Sequence, residues 1–471
     1  MKLVWLPGSF EAGIAITDDP DNASFTQFKA VYDLLSELGL STTRAMWVYE
    51  QQEPTGTPPL DISFSAPLLT DGACLDYCKH LSRNGFEICL HGASSGNNSR
   101  NKMAAALELL EREIAASRTY ICHSKNAENL YWDSKCTDNP VFSFFLRQYT
   151  RNQCFGEIEN SAYFWGDYCR QKIDYIRLFR TRSVNTLAFN PSMPYHDFSK
   201  PYVNFWFSAT KGYLPRLFTP QSIDVLCREH GASILYQYLH RYADDSGNIR
   251  DDVRECFERL AGDRRIFFRP ATELLDRLRQ ARLLYPVRFK GRSYIINASR
   301  NSFDSVQIKL ESGDSVTTAS PQQGWKFHPD RVIIEKLPPL SVSGLPIATL
   351  SDGRGFRKAY ISGDLIFIRC GLATIVANCS DTAAAIQPAC RKFVPTDATD
   401  QTVLPGEVKV FYSHPDAQRL EILQPISRLE LDRLFLGQAS ILLREHLFLG
   451  RKISTGNYFR DPGKIEDPAN W

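Results

Sequence analysis

The first three-fifths of the chain alternates short β-branched runs with amphipathic helical stretches, an order that few folds accept. GIAIT reads as a strand and is followed by FTQFKAVYDLLSELG, where Phe28, Val31, Leu34, Leu35 and Leu38 share one helical face and Gly39 marks the stop. TTRAMWVY is the next strand, DGACLDYCKHLSRNG a helix closed by Gly85, and FEICL a strand that runs into His91. NKMAAALELLEREIAAS is a clear helix and SRTYICHS a strand. Further on, NTLAFN, VNFWFS and ASILYQYL are expected as strands, DDVRECFERLAGD and ATELLDRLRQARLL as helices. Such alternation implies a mostly parallel sheet covered by helices, and about seven units over 1–285 is the scale of a TIM-like β/α barrel. A doubly wound open sheet is the alternative. Neither GxGxxG nor GxxxxGK[ST] occurs, which argues against a nucleotide fold.

The texture changes near Tyr285. RSYIINA, SVQIKLE, RVIIEKL, DLIFIRC and EVKVFYS are separated by Gly, Ser, Pro, Asn and Asp clusters, the pattern of a smaller all-β, sandwich-like domain over 286–415. The remainder, 416–471, contains a Leu-rich stretch with mixed charges, expected as a helical segment docked on the body.

Charge and cysteine usage bound the setting. The 471 residues carry a formal net charge of +2, so no global field recruits nucleic acid. Twelve cysteines are scattered without a CxxC pair, as expected for a cytoplasmic protein. The N-terminus lacks the apolar core of a signal peptide, and no run reaches the roughly 18 apolar residues of a membrane span.

Catalytic groups of parallel barrels stand at the C-terminal ends of strands. That filter selects Asp18 and Asp19 after GIAIT, His91 after FEICL, His123 after TYIC and His240 after ASILYQYL. Three of nine histidines therefore fall on one expected rim.

The order ITDDPDNAS, EICLHGASSGN, TYICHSKN, ILYQYLHRYAD resembles the NodB-like polysaccharide deacetylases, over roughly 12–282. The resemblance implies a deformed (β/α)7 barrel. It implies Asp18 as catalytic base, Asp19 and His91 as metal ligands, and His240 as general acid. Pro20 stands where the family has glycine, and Ser95 where it usually has a second histidine. The Arg-x-Pro-x-Gly segment that orients the base is absent. His123 or Asn98 is then the expected third ligand, and Lys125 the expected orienter of the base.

The chemistry implied is hydrolysis of an acetamide on a sugar or glycan precursor. A divalent metal, Zn²⁺ foremost, would bind the nucleophilic water, Asp18 would take its proton, and His240 would protonate the leaving amine. Mid-chain, Glu157, Trp165, Asp167, Tyr195 and Trp206 mix aromatics with carboxylates in the manner of a sugar cleft. Glu157 and Asp167 also admit a metal-free glycoside hydrolase, and a carbohydrate-binding protein on a decayed barrel is the non-catalytic alternative.

Overall fold

The computed structural model describes residues 1–54, 64–123, 126–132, 135–149, 154–311, 314–316, 324–345, 347–349, 359–390, 392–395, 398 and 401–449. The chain forms two compact units. One comprises Glu11–Leu275 with the residues from Ile426 onward; the other comprises Met1–Phe10 with Asp276–Pro425.

The first unit is a closed parallel β/α barrel of seven strands. After a short N-terminal strand β1 (Lys2–Val4), these are β2 (Ala12–Asp18), β3 (Thr43–Met46), β4 (Glu87–Leu90), β5 (Thr119–Tyr120), β6 (Tyr175–Thr181), β7 (Phe205–Lys211) and β8 (Ala232–Gln237). Each pairs with the next, and β8 returns to β2. β2 holds the seam by dividing its length. Its C-terminal end pairs with β3 (Thr17 with Thr43, Asp18 with Arg44), and its N-terminal end pairs with a further strand, β9 (Ile266–Phe268). All seven residues of β2 are buried, as a strand covered on both faces requires.

Helices cover the outside for the reasons the sequence suggests. α1 (Phe25–Glu37) starts at a Ser24–Gln27 capping box and buries Phe28, Val31, Tyr32, Leu34 and Leu35. It ends before Gly39, whose φ of +67° a glycine adopts without strain. α2 (Gly72–Arg83) buries Cys74, Cys78 and Leu81, and α3 (Arg100–Glu113) buries Met103, Ala106, Leu107 and Leu110. The helix Arg428–Leu449 belongs to this unit, where Phe435 stacks on Phe142 with ring centroids 4.6 Å apart.

Two expectations differ from the structure here. NTLAFN is helical at Thr186–Phe189, because the Asn185 side chain accepts the Ala188 amide (3.1 Å) and caps a turn. The strand of that repeat is instead YIRLFRT, β6. In addition, Lys2–Val4 pairs with Lys309–Gln307, outside the barrel.

The second unit consists of antiparallel sheets containing all five expected β runs. β10 (Leu284–Phe289) and β11 (Arg292–Asn297) form a hairpin whose alternation serves two cores. Tyr285, Val287 and Ile296 pack with Ile366, Ile368, Ile375 and Val408 of one sheet. Leu284 and Ile295 pack with Val306 and Ile308 of β12 (Phe303–Lys309) and with Val332 and Ile334. The period of two thus buries both faces of the hairpin between neighbouring sheets. All twelve cysteines are buried free thiols. Among the described residues no helix is long and apolar enough to cross a membrane.

Candidate metal centre

Three acids within four residues at the end of β2, Asp18, Asp19 and Asp21, occupy three different environments. Asp18 is fully buried and accepts from the Tyr32 hydroxyl (3.0 Å), the Leu239 amide (2.6 Å) and the Arg44 guanidinium. Burial pushes its carboxyl above the ordinary range, against the pull of Arg44, the Leu239 amide and Tyr32. Asp18 thereby ties β2 to β3 and to the 3-10 turn Leu239–Tyr242 that carries His240. Asp19 forms a bidentate pair with Arg177 of β6, at 2.8 and 2.7 Å, and Arg177 also donates to the Thr17 hydroxyl at 3.0 Å.

The carboxylate grouped with the two histidines is that of Asp21. Its oxygens lie 3.1 Å from His123 Nε2 and 3.4 Å from His91 Nε2. Asp21, His91 and His123 are all buried, and their candidate ligand atoms lie within 4.8 Å of one another. The Asp19 carboxylate borders them, 3.8 Å from His91 Nε2.

The hydrogen bonds behind the imidazoles decide which nitrogen faces the cluster. His91 Nδ1 faces the Ile121 carbonyl at 2.8 Å and His123 Nδ1 the Asn126 amide oxygen at 3.0 Å. Both acceptors call for a proton on Nδ1, leaving the Nε2 lone pairs aimed at Asp21. Asp21 Oδ2 is buried with no hydrogen-bond partner. Two imidazole lone pairs and an orphaned carboxylate oxygen converging in a dry site fit a divalent cation. Without a cation, Asp21 is opposed by its burial yet held well below the carboxylate range by His123 and His91. The same Asp21 bond raises His123 against its own burial.

A buried network fixes Asn126. The Glu128 carboxylate accepts from Asn126 Nδ2 (2.9 Å), Asn98 Nδ2 (2.7 Å) and the Asn98 amide (3.0 Å). Asn126 can therefore present only its oxygen to His123. Trp47 completes the wall, donating to the His91 carbonyl at 2.8 Å with its ring 5.4 Å from that of His123.

The remaining expected site residues stand elsewhere. Asn98 is consumed by Ser94, Gly96 and Glu128 and is outside the cluster. His240 is buried with Nδ1 unpartnered, and desolvation, with Arg44 and Arg241, pushes its pKa down to about 3. Lys125 lies outside the described residues; the cation that meets Asp19 is Arg177. Trp165 is buried and donates to the Glu128 carbonyl at 2.6 Å. Tyr195 and Trp206 are buried and bridged through their backbones, so no ring of the three offers a face to a sugar. Glu157 pairs with Lys135, and Asp167 forms a bidentate pair with Arg100 at 2.6 Å.

Sequence reasoning passed over Asp21, Arg177, Asn126 and Glu128. Asp21 sits in the same ITDDPDN stretch, and Asn126 and Glu128 follow the same strand as His123, so the strand-end filter applied to all three. Arg177 required recognising YIRLFRT as a strand.

Fold and site together define a parallel β/α barrel with a candidate metal centre at the C-terminal ends of β2, β4 and β5. No protein-family model matches the sequence, and no curated protein matches it. Among solved structures, the chain is similar to a Mycobacterium smegmatis protein assigned to the polysaccharide deacetylases, the family its motifs resemble. The identity is 11%, with 59% of this chain and 94% of that one covered, at a TM-score of 0.35. It is similar to a family 4 acetyl xylan esterase from Clostridium thermocellum in complex with a cobalt ion (10% identity, 48% and 87% covered, TM-score 0.21). It is also similar to an allantoinase (8% identity, 58% and 91% covered, TM-score 0.33). The chemistry of the site rests on its own geometry.

Proposed function

We propose that the barrel is a metal-dependent deacetylase acting on the acetamido group of a sugar or glycan precursor. Asp21, His91 and His123 would hold the cation, Zn²⁺ or another divalent ion, and Asp19 would be the general base. The observation that carries this reading is the Asp21–His91–His123 cluster with the Asp19 carboxylate on its border. When bound, the cation supplies Lewis acidity toward the acyl oxygen and the attacking water.

The roles of the chain's own groups follow from their surroundings. Arg177 holds the Asp19 carboxylate in one orientation through two hydrogen bonds, and each Asp19 oxygen keeps a lone pair for a proton. Asp18 has no such freedom, being enclosed by Arg44, Tyr32 and the Leu239 amide. In the proposed cycle Asp19 takes a proton from the attacking water as the C–O bond forms. It returns that proton to the amine nitrogen as the C–N bond breaks, so that acetate and a free amine leave. His240, held neutral, is not a standing acid at neutral pH. The reading therefore assigns the sequence-implied roles one carboxylate later: Asp19 for Asp18 as base, Asp21 for Asp19 as ligand.

The test separates these acids. Asp19→Asn should abolish acetate release while stoichiometric Co²⁺ or Zn²⁺ binding persists. Asp21→Ala with His91→Ala should abolish both. A wild-type protein that binds no divalent ion, with turnover indifferent to chelators, would sink the proposal.

A further inference from the structure

The wall of the barrel mouth opposite the metal ligands carries four cations, Arg177, Arg180, Lys211 and Arg241. Arg177 and Arg180 lie three residues apart on β6, and in a regular strand they would face opposite ways. The register with β7 shifts between them: Arg177 stands beside Phe207 and Arg180 beside Ala209, so β6 uses three residues where β7 uses two. The bulge returns Arg180 to the side on which Arg177 meets Asp19. The next residue on that side of β7 is Lys211, beside Tyr236 of β8, and Tyr236 stands beside Thr17 of β2.

Two tyrosines organise these cations. The Tyr236 ring lies under Arg177 at 4.1 Å and under Arg180 at 5.7 Å. Tyr238, whose hydroxyl is 2.5 Å from that of Tyr236, lies under Arg241 at 4.3 Å. Arg177 has the Asp19 carboxylate, whereas among the described residues no carboxylate pairs with Arg180. Arg180, Tyr236, Tyr238 and Arg241 are all partly exposed. The Tyr236 ring, 5.7 Å from the Arg180 guanidinium, supports the cation while its N–H fork remains for a ligand.

We propose that the mouth over β6, β7 and β8 is a subsite for an anionic group on the substrate, with Arg180 its principal ligand. Resting on the deacetylase reading above, this makes the substrate an N-acetylated sugar that also carries a phosphate or a carboxylate. Both anions match the guanidinium fork, and a cationic rim concentrates either at the site.

The test is direct binding by calorimetry to the full chain loaded with Zn²⁺, with acetate release from the same sugars assayed separately. N-acetylglucosamine 1-phosphate is expected to bind at least about tenfold more tightly than N-acetylglucosamine. Arg180→Gln should erase that difference, Arg180→Lys should keep part of it, and Lys211→Gln should reduce it. Retained Zn²⁺ binding shows that each variant is folded. N-acetylmuramic acid, run in parallel, distinguishes a carboxylate from a phosphate, and tighter binding of either supports the subsite. Equal binding of the neutral and charged sugars, or a charge preference unchanged in Arg180→Gln, overturns it. Arg180-dependent binding without acetate release from any of these sugars would leave the subsite standing and defeat the deacetylase reading. Acetate release from neutral sugar with no charge preference would do the reverse.

Discussion

The two units bury different kinds of polar group. Among the described residues of the β unit, the buried polar residues apart from the Met1–Asp314 ion pair are neutral: Ser293, Asn297, Ser299, Gln307, Thr374 and Asn378. Asn297 and Asn378 there staple loops, as when Asn378 donates to the Thr382 and Val403 carbonyls at 2.8 and 2.9 Å. Where this unit encloses charge, at the Met1 ammonium, Asp314 lies 2.7 Å away. The barrel buries Asp18, Asp19, Asp21, Arg44, His91, His123, Glu128, Arg177 and His240 around the C-terminal end of β2. Desolvating so many ionisable groups costs stability unless each has a partner. The comparison teaches where function lies: the β unit is built as a core, whereas the barrel mouth sustains a cost that packing alone would have removed.

The largest expected effect breaks that comparison at its base. Arg44→Met leaves the buried Asp18 carboxyl without its cation, and should cost about 3–5 kcal/mol in urea unfolding. Ile296→Val, a purely apolar change in the β unit, should cost about 1 kcal/mol. Replacing both partners, Arg44→Met with Asp18→Leu, should recover most of the loss. If the arginine variant is milder than the valine variant, Asp18 is not the buried tie between β2, β3 and the His240 turn described here.

Metal comes next in size. Zn²⁺ at about 100 times its dissociation constant should stabilise the protein by about 2.7 kcal/mol, read as a calorimetric shift that chelation reverses. His91→Ala should remove the shift. A change confined to the β unit, such as Ile296→Val, should leave it intact.

These two effects also mark how far the sequence could be read. The barrel was legible because strand–helix alternation is local, and His91 and His123 because each directly follows its strand. The division of labour among Asp18, Asp19 and Asp21 was not, since it is set by partners distant in sequence. Arg44 lies 26 residues from Asp18, Arg177 lies 158 from Asp19, and both approach only once the barrel closes. The adjacent pair Asp18-Asp19 drew attention, while Pro20 carries the chain on so that Asp21 is the acid that reaches the histidines. Likewise Trp165, Tyr195 and Trp206 have a composition that suits a sugar cleft or a core equally, and only their burial decides.

A smaller effect sharpens the contrast between a partner that fills space and one that orients a ligand. Glu128→Gln keeps volume but removes one of the acceptors that hold the Asn126 nitrogen, leaving the Gly96 carbonyl (2.8 Å) as its main anchor and loosening the oxygen that faces His123. Zn²⁺ affinity should fall about 10- to 100-fold while the urea midpoint of the metal-free protein moves little. Asn378→Asp, a comparable change in a staple of the β unit, should lower stability and leave metal affinity unchanged. Equal affinities in Glu128→Gln and wild type would remove Glu128 from the positioning of His123.

His240 is a barrel histidine that desolvation holds neutral, so stability depends on pH through it. His240 titrates near 6.5 in the unfolded chain and is pushed down to about 3 in the folded one. The unfolded state therefore binds more protons between those values, so stability from this group is complete above about pH 6.5 and declines as pH falls toward 3. Over the 1.5 units from pH 6.5 to 5, at about 1.4 kcal/mol per unit, the loss is about 2 kcal/mol. His240→Gln should flatten that part of the stability profile relative to wild type, although the variant is less stable at pH 7. A wild-type profile no steeper than that of His240→Gln between pH 6.5 and 5 would mean that His240 charges inside the fold. It would then regain the role of proton donor that its burial denies it.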